Sequence, residues 1–168
     1  MGVYFLRKLE EESSKSIFES FDLFIGTSAG ATNALMLGMN GSNIEDLEKF
    51  WTIENLKRIM NQSFIDKTSI FQTRPKYSNE GKKEILHNFF ENKKIGQSLK
   101  PVIVTAYDIE ARKPILISSY GDPEVTALQA ANASSAAPIY FPTASMEDGR
   151  WLIDGGIATN NPSLLGYI

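Results

Sequence analysis

One pentapeptide constrains the fold of this chain more than any other stretch. Gly26-Thr27-Ser28-Ala29-Gly30 lies between an apolar run, 21–25, and a helix-compatible run, 31–37. A Ser between two glycines, at a junction from strand to helix, is typical of a nucleophile elbow. The turn of an elbow is so tight that the residues two before and two after the Ser must lack bulk. The pattern therefore predicts a strand, a helix over 29–38 and a nucleophilic Ser28.

Composition and charge bound the function. The chain has 168 residues, 42% of them hydrophobic and 22% charged, which fits one soluble domain with a sizeable core. Its net charge of -3 argues against nucleic acid as the main partner. No Cys and a single His leave only carboxylates as metal ligands, and these follow no calcium-loop spacing, so we expect no metal and no cofactor.

The sequence also carries no sign of membrane insertion or export. No apolar run approaches the roughly 18 residues of a membrane span. Val3-Tyr4-Phe5-Leu6 is too short for the apolar part of a signal peptide, and charges follow at once. We therefore expect a cytoplasmic protein that touches membranes at most transiently and peripherally.

Periodicity predicts alternating helices and strands. A single helix is predicted over 3–20; three serines weaken its middle, which leaves a break there open. Further helices are predicted over 43–60, 79–92 and 124–133, strands over 102–107, 115–117 and 151–153, an irregular loop over 61–78 and an extended run over 139–142. This alternation favours an α/β fold with a mostly parallel sheet covered on both faces. Ser28 and Asp154 each follow a predicted strand, so they can share the carboxyl edge of that sheet.

A nucleophilic Ser needs a base. The only His, His87, lies opposite the apolar face of its helix and is expected to face solvent. A Ser-His-Asp triad is therefore disfavoured, and a carboxylate remains. Asp154 is the best candidate, because Gly155 and Gly156 let the backbone turn sharply and approach another segment closely. Three other aspartates are weaker candidates, since they fall before a strand or in turns: Asp22, Asp108 and Asp148.

Several segments, in order, resemble patatin-like phospholipases. They are Gly26-Thr27-Ser28-Ala29-Gly30, Arg74-Pro75-Lys76-Tyr77, the stretch from Ala133 to Pro142 that reads Ala-Ser-Ser-Ala-Ala-Pro-Ile-Tyr-Phe-Pro, and Asp154-Gly155-Gly156 with the following residues to Pro162. The resemblance covers most of the chain. It implies a three-layer α/β/α sandwich and cleavage of acyl esters of phospholipids or related lipids.

The resemblance also implies roles for residues. Ser28 would be the acyl-accepting nucleophile and Asp154 its base, forming a Ser-Asp dyad. Patatins carry an Asp-Gly-Gly-Gly-x-Arg-Gly loop after their first strand, and its amides form the oxyanion hole. Here only Gly2 is in register with that motif, which leaves the backbone amide of Ala29 as the oxyanion donor within this chain. We therefore expect residues 1–168 to form a single patatin-like domain that is incomplete at the N-terminus, where the first strand is missing. Whether it is also incomplete at the C-terminus is left open by the sequence.

Three functions remain open at this point. The first is hydrolysis of lipid esters through an acyl-enzyme. The second is acyl transfer on the same dyad, in which an alcohol replaces water. The third is a non-catalytic patatin-like fragment that lacks its oxyanion hole, because losing even one oxyanion donor costs about 100- to 1,000-fold in rate.

Overall fold

A computed structural model of the protein describes residues 2–61 and 75–167. The α-helices within these residues are α1 Gly2–Ser13, α2 Ile17–Ser20, α3 Ala29–Asn40, α4 Ile44–Phe50, α5 Ile53–Ile59, α6 Glu80–Phe90 and α7 Ala127–Ser134. The strands are β1 Phe24–Thr27, β2 Val102–Asp108, β3 Lys113–Ser118, β4 Ala144–Ser145 and β5 Trp151–Asp154. Most of the predicted loop over 61–78, including Arg74, lies outside the described residues.

Two long predicted helices are each interrupted, for identifiable reasons. The helix predicted over 3–20 breaks at Ser14, whose φ is 55°, and the Ser16 side chain then caps α2. The helix predicted over 43–60 begins, as expected, at an Asn43 cap, but it is two helices, because Thr52 caps α5. Hydroxyl and amide side chains at these positions accept backbone N–H bonds that a continuous helix would otherwise use.

The predicted α/β class is confirmed, and the sheet is mixed. β1 pairs with β2 in parallel, whereas β2–β3, β2–β5 and β4–β5 are antiparallel. The expectation of a mostly parallel sheet therefore holds for β1 and β2 but not for the other pairs described. Buried apolar runs indicate strands covered on both faces, but they do not fix strand direction.

Two strands meet end to end beside β2. β3 occupies one edge of β2 over Ile103–Asp108, so β1 and β5 must share the other edge. β1 ends with Thr27 opposite Thr105, and the antiparallel β5 ends with Asp154 opposite the next residue, Ala106. The carboxyl ends of β1 and β5 therefore meet at adjacent positions of β2.

Layers cover both faces of this sheet. α3 and α7 pack against the strands and against each other, and Gly38 of α3 lies against Phe24 and Val102. On the other face, the Thr27 hydroxyl donates to Thr159 O at 2.8 Å. Among the described residues, the 3₁₀ turn Gly155–Ile157 contacts β2, and the 3₁₀ turn Ser163–Tyr167 contacts β1.

Two further points concern the sequence expectations. Residues 138–141 form a turn in which Ile139 has a φ of 73°, so the extended run predicted for 139–142 is wrong. Within the described part of the chain, no helix is both long and apolar enough to cross a membrane.

Candidate active site

The elbow at Ser28 has the strained backbone that its sequence predicts. Ser28 joins the last residue of β1 to the first residue of α3, with φ 56° and ψ −121°. A non-Gly residue in such a region costs about 1–3 kcal/mol and persists only where its surroundings hold it there. The strain turns the chain from strand to helix within one residue.

Only one of the two elbow glycines is required by packing. A Cβ on Gly26 would lie 2.5 Å from Ala31 N and closer still to the carbonyl of Gly30. A Cβ on Gly30 would meet no atom within 4 Å. The expectation that both glycines must lack bulk is therefore right for Gly26 and wrong for Gly30 within the described residues.

The amides around the elbow divide into occupied and available donors. Ser28 N donates to the hydroxyl of Ser134 at 2.9 Å, so this amide already has an acceptor. Ala29 and Gly30 are exposed at the start of α3, where first-turn N–H groups have no acceptor inside the helix. Ala29 thus lies where an oxyanion donor would have to be, and this role remains a prediction.

Asp154 is held at the end of β5 by hydrogen bonds. Its side chain is buried, its N–H donates to Ala136 O at 3.1 Å, and its Oδ1 accepts from Gly156 N at 2.8 Å. A Cβ on Gly155 would lie 2.6 Å from the carbonyl oxygen of Thr105, so this turn can pass β2 only with a glycine there.

Ser28 lies between two pockets of different character. With Asp154 it lines a cavity of about 300 Å³, whose other walls are Ala137, Pro138, Gly156, Ile157 and Asn160. On its other side it lines a cavity of about 190 Å³ whose walls are mostly apolar, among them Phe50, Trp51, Leu56, Ile59, Leu86 and Phe141. The aromatic residues of the 43–60 region thus pack in the core, as predicted, and also face this cavity.

A buried lysine in the apolar cavity escaped the sequence interpretation. Lys82 is only 4% exposed, and its Nζ donates to Ser135 O at 3.2 Å and to Ser135 Oγ at 3.4 Å. The ammonium also lies 4.2 Å from the centre of the Phe141 ring. Burial lowers the pKa of Lys82 to about 7, an effect that the charge of Asp154 opposes and that of Lys83 reinforces. Lys82 precedes Ile85 by three residues and Leu86 by four, a spacing that places it on the apolar face of α6.

The other candidates are placed elsewhere. His87 is exposed on α6, as predicted. The carboxylate of Asp108 accepts from Glu110 N and Ala111 N in the β2–β3 turn, and Asp148 pairs with Arg150 in the turn before β5. Asp22 is exposed before β1. Within 2–61 and 75–167, no three His, Cys, Asp or Glu side chains converge in a way that could hold a metal ion.

Comparison with known families assigns the chain. Residues 2–165 match the family described as patatin-like phospholipase. The chain belongs to this family. The assignment confirms the resemblance that the elbow and the Asp154-Gly155-Gly156 segment indicated.

Patatin-like relatives come from plants and bacteria. The chain is 28% identical to Patatin-like protein 4 of Arabidopsis thaliana, over 96% of this chain and 44% of that protein. It is 30% identical to a cGAMP-activated phospholipase of Pseudomonas aeruginosa, over 96% of this chain and 50% of that protein. The chain thus spans about half the length of these relatives.

A solved structure supports the patatin-like fold. The crystal structure of VipD from Legionella pneumophila superposes with a TM-score of 0.68 over 96% of this chain and 45% of that one. The sequence identity is 15%, so the match concerns the fold alone.

Proposed function

We propose that this patatin-like protein is a lipid acyl hydrolase in which Ser28 is the nucleophile and Asp154 the base. One observation carries the proposal: β1 and β5 end at adjacent positions of β2, and the two side chains at those ends line one cavity. The strained backbone of Ser28 supports it, since such strain clusters at functional residues.

The reaction follows from these positions. Ser28 Oγ attacks the ester carbonyl while its proton passes to the Asp154 carboxylate. The bond from the carbonyl carbon to the leaving oxygen then breaks, and Asp154 returns the proton to the departing alcohol. Water then gives a proton to Asp154 as it attacks the carbonyl of the acyl-enzyme. The bond from the carbonyl carbon to Ser28 Oγ breaks, and Asp154 returns the proton to Ser28 Oγ. The fatty acid leaves and free Ser28 is regenerated.

The two cavities divide the substrate between them. The apolar cavity suits the acyl chain, since its walls are aromatic and aliphatic side chains. The cavity at Asp154 receives the alcohol portion, which for a phospholipid or related lipid carries the head group. Exposed apolar side chains near this cavity, Ile139, Tyr140 and Ile157, are the surface that would meet a lipid layer transiently.

The negative charge of the tetrahedral intermediate needs donors. Within this chain, the N–H of Ala29 is proposed to supply one, because it opens α3 beside the nucleophile. Ser28 N is not proposed for this role, because it already donates to Ser134.

A fluorophosphonate probe and a p-nitrophenyl acyl ester test the proposal. Because the nucleophile is lost, Ser28→Ala is expected to abolish labelling and to lower kcat by about 10⁴-fold or more. Asp154→Asn is expected to lower kcat by about 10⁴-fold. Ser163→Ala, which changes an exposed Ser far along the chain, is the matched control and should label and turn over like wild type.

The remaining outcomes separate the alternatives. Equal labelling of wild type and folded Ser28→Ala would contradict the assignment of Ser28 as the nucleophile. Folded wild-type protein without labelling would favour a non-catalytic patatin-like protein. Product analysis with an added alcohol or lysophospholipid distinguishes transfer from hydrolysis, because transfer yields a new ester in place of fatty acid.

A further inference from the structure

One short segment is hydrogen-bonded to both proposed catalytic residues. The hydroxyl of Ser134 accepts from Ser28 N at 2.9 Å, and the carbonyl of Ala136 accepts from Asp154 N at 3.1 Å. We call residues 134–136 the linking segment. It lies at the C-terminal end of α7, where helix geometry gives way to a turn. A change in the shape of this segment would therefore disturb the position of Ser28, of Asp154 or of both.

The middle residue of the linking segment is held by Lys82. The Lys82 ammonium donates to the carbonyl and the hydroxyl of Ser135, and it lies over the ring of Phe141 on its other side. The carbonyl of Ser135 belongs to the last turn of a helix, where acceptors lack helical partners and a cation is favourable. α6 packs directly against α7, and Lys82 adds a buried polar contact to the end of that helix.

Burying this ammonium is costly. A lysine that is 96% buried loses its hydration, and an apolar side chain of similar length would fill the same space without that loss. The next residue on the same helix, Lys83, is exposed. A polar amine at this position is accounted for if the linking segment must be held for a purpose other than packing.

We propose that Lys82 is a positioning residue: through Ser135 it fixes the linking segment, and the segment in turn fixes Ser28 and Asp154 in register. This inference rests on the proposed function. Lys82 itself transfers no proton and touches no reacting atom in this scheme.

Lys82→Met removes the donor and retains an unbranched apolar chain. It is expected to lower kcat for a p-nitrophenyl ester by about 10- to 100-fold, because small misplacements of reacting groups cost rates of that order. KM is expected to stay within about twofold, because methionine keeps an unbranched side chain at this place in the wall of the acyl cavity. Lys83→Met is the matched control and should keep wild-type kcat and KM.

A double-mutant cycle separates positioning from a general loss of structure. Ser134→Ala removes the acceptor of the Ser28 amide, so it disturbs the same linking segment at its other contact. If both act through that segment, the double variant should lose much less than the product of the two single losses. Thermal unfolding of each variant verifies that the comparison is made on folded protein.

The outcomes distinguish this inference from the proposed function. Wild type without hydrolysis or labelling would refute the proposed function and the inference with it. Wild-type hydrolysis that requires Ser28, combined with unchanged kcat in Lys82→Met or with fully multiplicative losses in the cycle, would overturn the inference alone. If Lys82→Met does not fold, Lys82→Leu, which also removes the donor, takes its place, and the same kcat and KM criteria apply.

Discussion

The elbow at Ser28 and the turn after Asp154 hold their side chains by different means. Ser28 occupies a left-handed backbone region at φ 56°, whereas Asp154 has an ordinary φ of −50° and ψ of 129°. The elbow is shaped by close contact between Gly26 and the backbone of the next helix. The Asp154 turn is shaped by hydrogen bonds from Asp154 N to Ala136 and from Gly156 N to the carboxylate.

This difference separates stability from chemistry. The elbow is strained, and its neighbours hold it in that conformation, so substitutions there should first lower the free energy of unfolding. The Asp154 turn is unstrained, and its second glycine lies against the carboxylate itself. Substitutions there should therefore also lower kcat. Four Gly→Ala substitutions test the contrast.

Gly26→Ala is expected to have the largest effect. The added methyl group would overlap the backbone of Gly30 and Ala31, which cannot move without unwinding the start of α3. We expect the free energy of unfolding to fall by about 3 kcal/mol or more, measured by urea denaturation. A loss below about 1 kcal/mol would show that the elbow relaxes easily, and the contrast between the elbow and the Asp154 turn would then not hold.

Gly155→Ala should be the next most damaging. Its methyl group would lie 2.6 Å from the carbonyl oxygen of Thr105, a residue with no exposed surface. We expect a loss of about 2 kcal/mol in the same denaturation experiment. Wild-type stability here would mean that β2 and the Asp154 turn are not in contact as described.

Gly156→Ala is expected to separate rate from stability. Its methyl group would lie 3.0 Å from Asp154 Oδ1, so the carboxylate must shift by a few tenths of an ångström. We expect kcat to fall about tenfold while stability changes by less than about 1 kcal/mol. Steady-state kinetics and denaturation of the same sample check both parts. A fall in kcat accompanied by a large loss of stability would contradict the separation.

Gly30→Ala should have the smallest effect, and in the opposite direction. Among the described residues outside the backbone of its own helix, a Cβ there meets no atom within 4 Å, and alanine favours the helical state over glycine. We expect stability to rise by about 0.5–1 kcal/mol with kcat within about twofold. Destabilisation instead would place a further segment against the elbow at this point.

The sequence predicted the two candidate catalytic residues better than the contacts that bring them together. Ser28 and Asp154 were found because glycine patterns and strand ends are local signals. The meeting of β1 and β5 was not predicted, because a short apolar run such as 151–153 does not reveal its direction in the sheet. Whether the two residues act as a dyad remains a prediction.

Lys82 was missed for a different reason. The sequence interpretation assigned it no role, although its spacing to Ile85 and Leu86 places it on the buried face of its helix. Ser134 belonged to a segment recognised only as patatin-like. Its bond to the Ser28 amide joins residues 106 positions apart, and no local pattern could have shown it.

The end-to-end meeting of β1 and β5 has a consequence for insertions and deletions. Because Thr105 and Ala106 are neighbours on one strand, the separation between the ends of β1 and β5 is set by the rise of about 3.3 Å per residue in β2. Point substitutions in β2 leave this interval unchanged. One residue inserted between 105 and 106 would lengthen this interval or force a bulge. Insertions at this point of β2 should therefore be tolerated less well than substitutions of Thr105 or Ala106.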